Sequence, residues 1–381
     1  MTPNRQSHLS RKGRIDLGSF YTPEKYVLIV RDWLLAHGLA SSSVVMDPSC
    51  GYGAFFRLMD TLPDNIYIGN DIDRKAIEQV AIHFPEVALH HENILFGVSR
   101  AKYGISEDST LIIVGNPPYN DVTSQINSRT KNHSVVADQD VQTRDLGLSS
   151  LLAYEKLHAD YVAILHPLSY LIKKTNFNAA GRFFKNYTML ENIVFSSQEF
   201  AGTSSFSGFP VIVALYKRTP HEGLTYDGVL STTFKTTNGA AFSVDMFDYV
   251  TDYIDKYPSN VRYKPEILFY TLRDINALRR SRTFIKERVS NAVDVNPKKL
   301  AYYCYIDCFK DALGDVPYYL GNFNIPFKKD TFGAIAHDLV QVSAYKHPEI
   351  FRGVDKPSND TVSRVKQYIN DVLGTRKELI A

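Results

Sequence analysis

The sequence predicts an α/β protein with a doubly wound, mostly parallel sheet and a smaller C-terminal domain. Apolar β-branched runs alternate with helical patterns from residue 24 to residue 218. Several of those runs are apolar on both faces, as strands covered by helices on each side must be. After Arg218 the alternation stops and a region rich in tyrosine and phenylalanine begins. We place the boundary near 220, giving domains at 1–220 and 221–381.

The elements follow in order. Glu24 to Gly38 sets Val27, Val30, Leu34 and Leu35 at helical spacing and ends in glycine. Residues 43–47 (SVVMD) read as the first strand, followed by a glycine-containing turn and a helical AFFRLMDTL. Residues 65–71 (NIYIGND) read as the second strand, with DRKAIEQVAIHF as its helix. VALHHENIL (87–95) and STLIIVGN (109–116) read as two further strands, then 160–167, 191–197 and 209–218. Residues 120–147 are polar and aperiodic. A loop of that length is functional or disordered, and disorder without a bound partner is expected here.

Composition excludes several classes. With 381 residues, 44% hydrophobic and 22% charged, the chain has the make-up of a folded soluble protein. No apolar run approaches the ~20 residues of a membrane helix, and the polar, basic start is not read as a secretory signal. A net charge of +2 means that any polyanion-binding surface must come from local clustering. The cysteines, Cys50, Cys304 and Cys308, lack the spacing of a disulfide framework and fit a reducing cytoplasm. Cys304 and Cys308 have no second ligand pair nearby, so buried thiols are expected and no metal site.

In a doubly wound sheet, ligands bind beyond the carboxyl ends of the strands. The segments there are DPSCGYG, NDID, ENIL and NPPY. In Asp47-Pro48-Ser49-Cys50-Gly51-Tyr52-Gly53, the glycines Gly51 and Gly53 permit a tight turn and close backbone approach. The pattern is not the three-glycine dinucleotide fingerprint, and the acid at Asp47 would repel a pyrophosphate. It suits a cofactor carrying an amino group and a sulfonium. Asp71 can accept from two ribose hydroxyls, Ile72 can pack on an adenine ring, and Asn93-Ile94 can read its edge.

Asn116-Pro117-Pro118-Tyr119 ends the strand before it, because proline cannot donate to a sheet ladder. An exocyclic amine on an aromatic base is a poor nucleophile, since its lone pair is delocalised into the ring. The Asn116 amide oxygen can accept one N–H and the Pro117 carbonyl the other, which favours a pyramidal nitrogen in the transition state. The prolines hold that carbonyl in place, and Tyr119 can stack on the base.

These two motifs together resemble the S-adenosylmethionine-dependent N6-adenine DNA methyltransferases. Phe20-Tyr21-Thr22-Pro23 matches that family's N-terminal cofactor motif, and the motif order resembles its γ group, found in restriction–modification systems. The resemblance covers roughly residues 18–218. It implies a Rossmann-like methyltransferase fold, with S-adenosylmethionine held by Phe20 to Pro23, Asp47, Ser49, Cys50, Gly51, Gly53, Asp71, Ile72, Asn93, Ile94 and Asn116. It implies methyl transfer to N6 of an adenine flipped out of a specific double-stranded DNA sequence. Such systems also imply a cognate restriction endonuclease acting on the same site. By the same resemblance, Asp145-Leu146 and His166-Pro167 correspond to later motifs of the catalytic domain. The family usually carries Asp where Asn93 stands, so altered cofactor contact is expected. Phe200, or else Phe206, corresponds to the aromatic that stacks on the far face of the flipped base.

The C-terminal region offers Arg273, Arg279, Arg280, Arg282, Lys286 and Arg288 within one stretch as phosphate contacts. Alternative readings are amino-group methylation of RNA adenine or of a protein glutamine, and a non-catalytic DNA-binding specificity module. The intact Asn116 to Tyr119 motif disfavours the last.

Overall fold

A computed structural model describes residues 22–119, 136–200 and 208–374. The chain divides into two compact units, Met1–Leu230 with Phe234–Thr237, and Ser231–Thr233 with Asn238–Ala381.

The first unit is built on a seven-stranded sheet in the order β3-β2-β1-β4-β5-β7-β6. Its strands are β1 (Val44–Asp47), β2 (Ile66–Asn70), β3 (Ala88–His90), β4 (Leu111–Gly115), β5 (Tyr161–Pro167), β6 (Tyr187–Ser196) and β7 (Pro210–Arg218). Strands β1 to β5 pair in parallel, and β7 runs antiparallel to both β5 and β6. This is the doubly wound, mostly parallel sheet that the sequence predicts. β1 and β4 are buried throughout, which is why their residues are apolar without alternation.

Helix α1 (Glu24–Ala36) buries Tyr26, Val27, Val30 and Leu34 in one core with Val213 and Leu215 of β7. Tyr26 stacks on Phe195 of β6 at 3.9 Å. The second helix, α2 (Arg74–His83), starts at Asp73, whose side chain accepts from the Lys75 amide. The third, α3 (Leu146–Lys156), is capped by Asp145 and is buried from Gly147 to Glu155. Three short helices, α4 (Ser169–Ile172), α5 (Lys174–Ala179) and α6 (Gly181–Asn186), lead from β5 into β6.

Three expectations are corrected. The stretch AFFRLMD is a 3-10 helix, Ala54–Asp60, entered through Gly53 at φ +75°. The third strand is only Ala88–His90, because the polar residues that follow turn away towards the site. Residues 136–147 of the 120–147 loop are anchored rather than disordered, while 120–135 lie outside the described residues. Asp138 accepts from the amides of Gly97 and Val98 and pairs with Lys156 at 2.9 Å. Those bonds hold its carboxyl down to about 2.

In the second unit, β8 (Leu268–Tyr270) is the centre of a three-stranded antiparallel sheet between β9 (Phe284–Ile285) and β10 (Ala292–Asp294). Helix α7 (Ile275–Arg280) is short. Helices α8 (Leu300–Asp311) and α9 (Lys329–Lys346) pack together, and α10 (Asn359–Gly374) packs on α9. Cys304 and Cys308 are buried free thiols on α8.

Candidate active site

The strand order reverses between β1 and β4, so the crevice beyond their carboxyl ends is the switch point of the sheet. Asp47 ends β1 and Gly115 ends β4. Gly115 sits at φ +152°, and a Cβ there would lie 2.9 Å from Asp47 Oδ1. A side chain at 115 would therefore push the acid away. The glycine lets the Asp47 carboxylate lie directly against the head of the Asn-Pro-Pro-Tyr elbow.

Asp47 is 2% exposed and accepts from the Ser49 amide at 3.2 Å. Burial pushes its carboxyl well up, that single bond opposes the shift, and the nearby charge of Asp71 adds to it. Asp71 is also raised by burial, although its two oxygens accept from the amides of Gly51 and Asp73, both at 2.8 Å. Gly51 adopts φ +51°, so the glycine turn after β1 is tied to the acid after β2. Cys50 is buried in the same turn, and burial with Asp47 and Asp71 beside it raises its thiol.

Asn70, the last residue of β2, fastens these turns together. Its amide nitrogen donates to the carbonyls of Pro48 and Glu92, each at 3.0 Å, and its oxygen accepts from the Glu92 amide at 3.1 Å. One buried amide thus fixes the loops after β1 and β3 against the end of β2. Ile72 is 68% exposed, an apolar ledge beside Asp71. Ile94 is buried and offers no such surface.

Asn93 differs from its expected use. Its oxygen accepts from the Leu95 amide at 2.9 Å, and its nitrogen donates to the Val136 carbonyl at 2.6 Å. The side chain closes a turn and holds the loop segment from Val136, so it does not project as a base reader.

Pro117 is buried, and Asn116, Pro118 and Tyr119 are half-buried. The Tyr119 hydroxyl donates to Asn116 Oδ1, the atom expected to receive a substrate amine. Burial raises the Tyr119 phenol strongly, so it stays protonated and acts as a donor.

Thr22 is buried and Pro23 precedes the first turn of α1, while Phe20 and Tyr21 lie outside the described residues. So does Phe206. Phe200 is 1% exposed and packs edge-to-face on Phe195 within the core. Its ring is enclosed by apolar neighbours, which corrects its assignment as a base-stacking residue.

No protein-family model and no curated protein sequence matches the chain. Solved structures with a similar fold include a protein provisionally named an RNA methyltransferase from Pyrococcus horikoshii, 13% identical, TM-score 0.35, covering 54% of this chain and 89% of that one. Another is a class I S-adenosylmethionine-dependent methyltransferase, so named provisionally, from Listeria monocytogenes. It is 13% identical, with TM-score 0.38, covering 56% of this chain and 65% of that one. An rRNA methylase from Streptococcus thermophilus is 12% identical, TM-score 0.31, covering 52% and 99%. These similarities concern the fold alone.

The basic stretch of the second unit is not one helix face. Arg273, Arg280, Arg282 and Lys286 are exposed and form no ion pair among the described residues. Arg288 is different, since it is bound to Asp294 at 2.7 Å and Glu266 at 2.5 Å, which removes it from the phosphate-contact set. Arg279 is half-buried and burial lowers its pKa. Arg282 lies over the ring of Tyr270, 5.9 Å from its centre.

Sequence reading passed over Gly115 and Asn70. A glycine ending an apolar strand just before two prolines was the available signal for the first. Nothing local distinguishes Asn70, because its partners come from two other loops.

Proposed function

We propose that the first unit is an S-adenosylmethionine-dependent methyltransferase that methylates N6 of an adenine flipped out of double-stranded DNA. The observation that carries this reading is the Asp47 carboxylate packed against Gly115 at the head of the Asn116–Tyr119 elbow. A cofactor-type acid and an amine-type acceptor thereby share one crevice.

The donor set fits this cofactor. Two acids with raised carboxyls, the buried Asp47 and the half-buried Asp71, welcome a cationic amino group and ribose hydroxyls and would repel phosphates. Ile72 supplies an exposed apolar ledge for a purine. Bound there, S-adenosylmethionine supplies an electrophilic methyl group. The chain's own part is to position and polarise the amine. Asn116 Oδ1 and the Pro117 carbonyl accept its two N–H groups, and the Tyr119 hydroxyl gives up Asn116 as the amine arrives. Such acceptors act mainly in the transition state, where the nitrogen becomes pyramidal.

An amine inside a duplex is out of reach, so the base must be extruded at a cost of a few kcal/mol. Tyr119 offsets part of that by stacking. Arg273, Arg280, Arg282 and Lys286 are the phosphate contacts, and binding through them weakens as salt rises. A cognate endonuclease for the same site is the partner this reading implies.

The test uses cofactor carrying a labelled methyl group, offered with duplex DNA, RNA and protein in turn. Label is expected on N6 of adenine in DNA. Label confined to RNA or protein would overturn the DNA reading. Asn116→Ala is expected to lower kcat by about 100- to 1000-fold while leaving cofactor binding largely intact; an active variant would remove Asn116 from its role.

A further inference from the structure

We propose that Arg282, besides adding charge, reads the edge of a guanine in the target DNA, a specificity role that rests on the DNA reading above. Antiparallel pairing in the sheet of the second unit sets Leu268 opposite Ile285 and Asp294, and Tyr270 opposite Ala292. These residues share one face, because side chains alternate along a strand. The other face carries Phe269 and Phe284, edge-to-face at 5.0 Å, and Phe269 lies 5.1 Å from Tyr303 of α8. That second face is the one turned towards the helix.

The two ends of the first face treat their arginines differently. At one end Arg288 is bound to Asp294 at 2.7 Å and to Glu266 at 2.5 Å, and Arg262 to Asp294 at 3.3 Å. Those guanidinium groups are already engaged. At the other end stands Tyr270, packed at the margin of Leu268, Ile285 and Ala292. The Arg282 guanidinium lies over its ring, 5.9 Å from the centre. Asn291 Nδ2 donates to the Tyr270 hydroxyl at 3.1 Å, which fixes the ring that carries the cation. The chain beside Arg282 is held as well, since the Thr283 carbonyl accepts from the Tyr270 amide at 2.8 Å. Arg282 is exposed and forms no ion pair among the described residues.

A guanidinium is a planar fork of N–H donors, and two of them match O6 and N7 of guanine in the major groove. That contact suits an arginine with no competing carboxylate and with little freedom left to lose. A ring beneath the cation restrains it through the ring face and leaves the N–H donors open. An ion pair, as at Arg288, uses those donors. The major groove also admits a two-stranded β-ribbon, the arrangement of β8 and β9. Arg273 and Arg280 are exposed without such a ring among the described residues, and Arg279 is half-buried. Arg282 is therefore the member of this stretch prepared for base readout.

The full chain is expressed in a bacterial host lacking adenine methylation, and N6-methyladenine is mapped along its DNA. The wild type is expected to mark one motif that contains a guanine. Arg282→Ala is expected to accept any base at one guanine while the remaining positions stay read. Arg282→Lys should do the same, because it keeps the charge and loses the fork. On synthetic duplexes, 7-deazaguanine at that position removes the N7 acceptor. It should lower wild-type kcat/KM about 10- to 100-fold and leave Arg282→Ala unaffected. Tyr270→Leu should relax the same position, whereas Tyr270→Phe, which keeps the ring, should still read it. Arg273→Ala should weaken binding equally for all sequences and leave the motif intact. A motif without guanine, or an unchanged motif in Arg282→Ala, would overturn the guanine reader while the DNA reading stands. So would a uniform loss at every position. If the wild type marks no DNA, the DNA reading fails first and the reader falls with it.

Discussion

Asp47 and Asp307 are buried to the same degree, 2% and 3% exposed, yet their carboxyls are driven in opposite directions. Burial pushes both up. At Asp47 the Ser49 amide is the only opposing influence, and Asp71 nearby makes matters worse. At Asp307 the burial is outweighed by His347, Lys346 and Thr283, and the carboxyl ends well below its usual range. Its oxygens receive Thr283 Oγ1 at 2.6 Å, Ser343 Oγ at 2.9 Å, His347 Nε2 at 3.0 Å and Lys346 Nζ at 2.9 Å. Asp307 thus ties α8 to α9 and to the turn before β9 inside its own unit. The lesson is one of use. A structural acid such as Asp307 is given its partners by the fold, whereas Asp47, which we propose binds a ligand, is left short of them.

That contrast can be broken at Asp307 first. Asp307→Ala leaves Lys346 and His347 facing an empty place in a buried site. A loss of about 3–5 kcal/mol is expected, read as a lowered urea midpoint for the second unit. Unchanged stability would mean that the network holds nothing together.

Acid should separate the two units next. The pKa of His166 is lowered in the folded state to about 4 from an unfolded value near 6.5. Between those values the unfolded chain binds the extra proton. Its contribution is therefore present above about pH 6.5 and lost as the pH falls to 4, by about 3 kcal/mol at most. The depressed Asp307 keeps its contribution until the pH drops below the unfolded value of 3.8. Asp47, being raised, acts in the reverse sense and loses stability as pH rises. Trp33 on α1 is the single tryptophan and reports the first unit. Its unfolding midpoint should fall between pH 7 and 4.5, with a shallower fall in His166→Gln. Equal slopes in the two proteins would show that His166 is protonated without penalty.

The smallest effect is expected at Asp47, and with the opposite sign for stability. Asp47→Asn removes a buried charge met only by the Ser49 amide, so stability read from the urea midpoint should hold or rise by up to about 1 kcal/mol. Cofactor affinity, measured by calorimetry, should fall by about 2 kcal/mol, or roughly thirtyfold. If Asp47→Asn destabilises the protein as Asp307→Ala does, the distinction between the two acids collapses.

The strands of the first unit were legible because continuous β-branched runs have few other ways to be buried. Six of the seven lie within a few residues of their expected positions. The exception is β3, where the pattern VALHHENIL mixes polar residues into an apolar run. The strand ends were legible for the same reason, so DPSCGYG, NDID and NPPY stand at or just beyond the carboxyl ends of β1, β2 and β4 as expected. What failed was the state of individual side chains. Phe200 has an ordinary sequence context, and only the packing of α1 on β6 and β7 encloses it. Asn93 and Arg288 had the residue types for their expected roles, but tertiary partners bind them elsewhere.

The sequence by itself determined the sheet, the order of its loops and the elbow at 116–119, because periodicity and proline act over a few residues. It could not determine which polar groups are left short of partners. That depends on distances between residues far apart in the chain, such as Gly115 and Asp47, or Tyr170 and Asp145. Only the tertiary structure decided that Asp47 stands almost alone beside the elbow while Asp307 is fully engaged. Burial sets the penalty on a charge, and three-dimensional neighbours decide whether it is met.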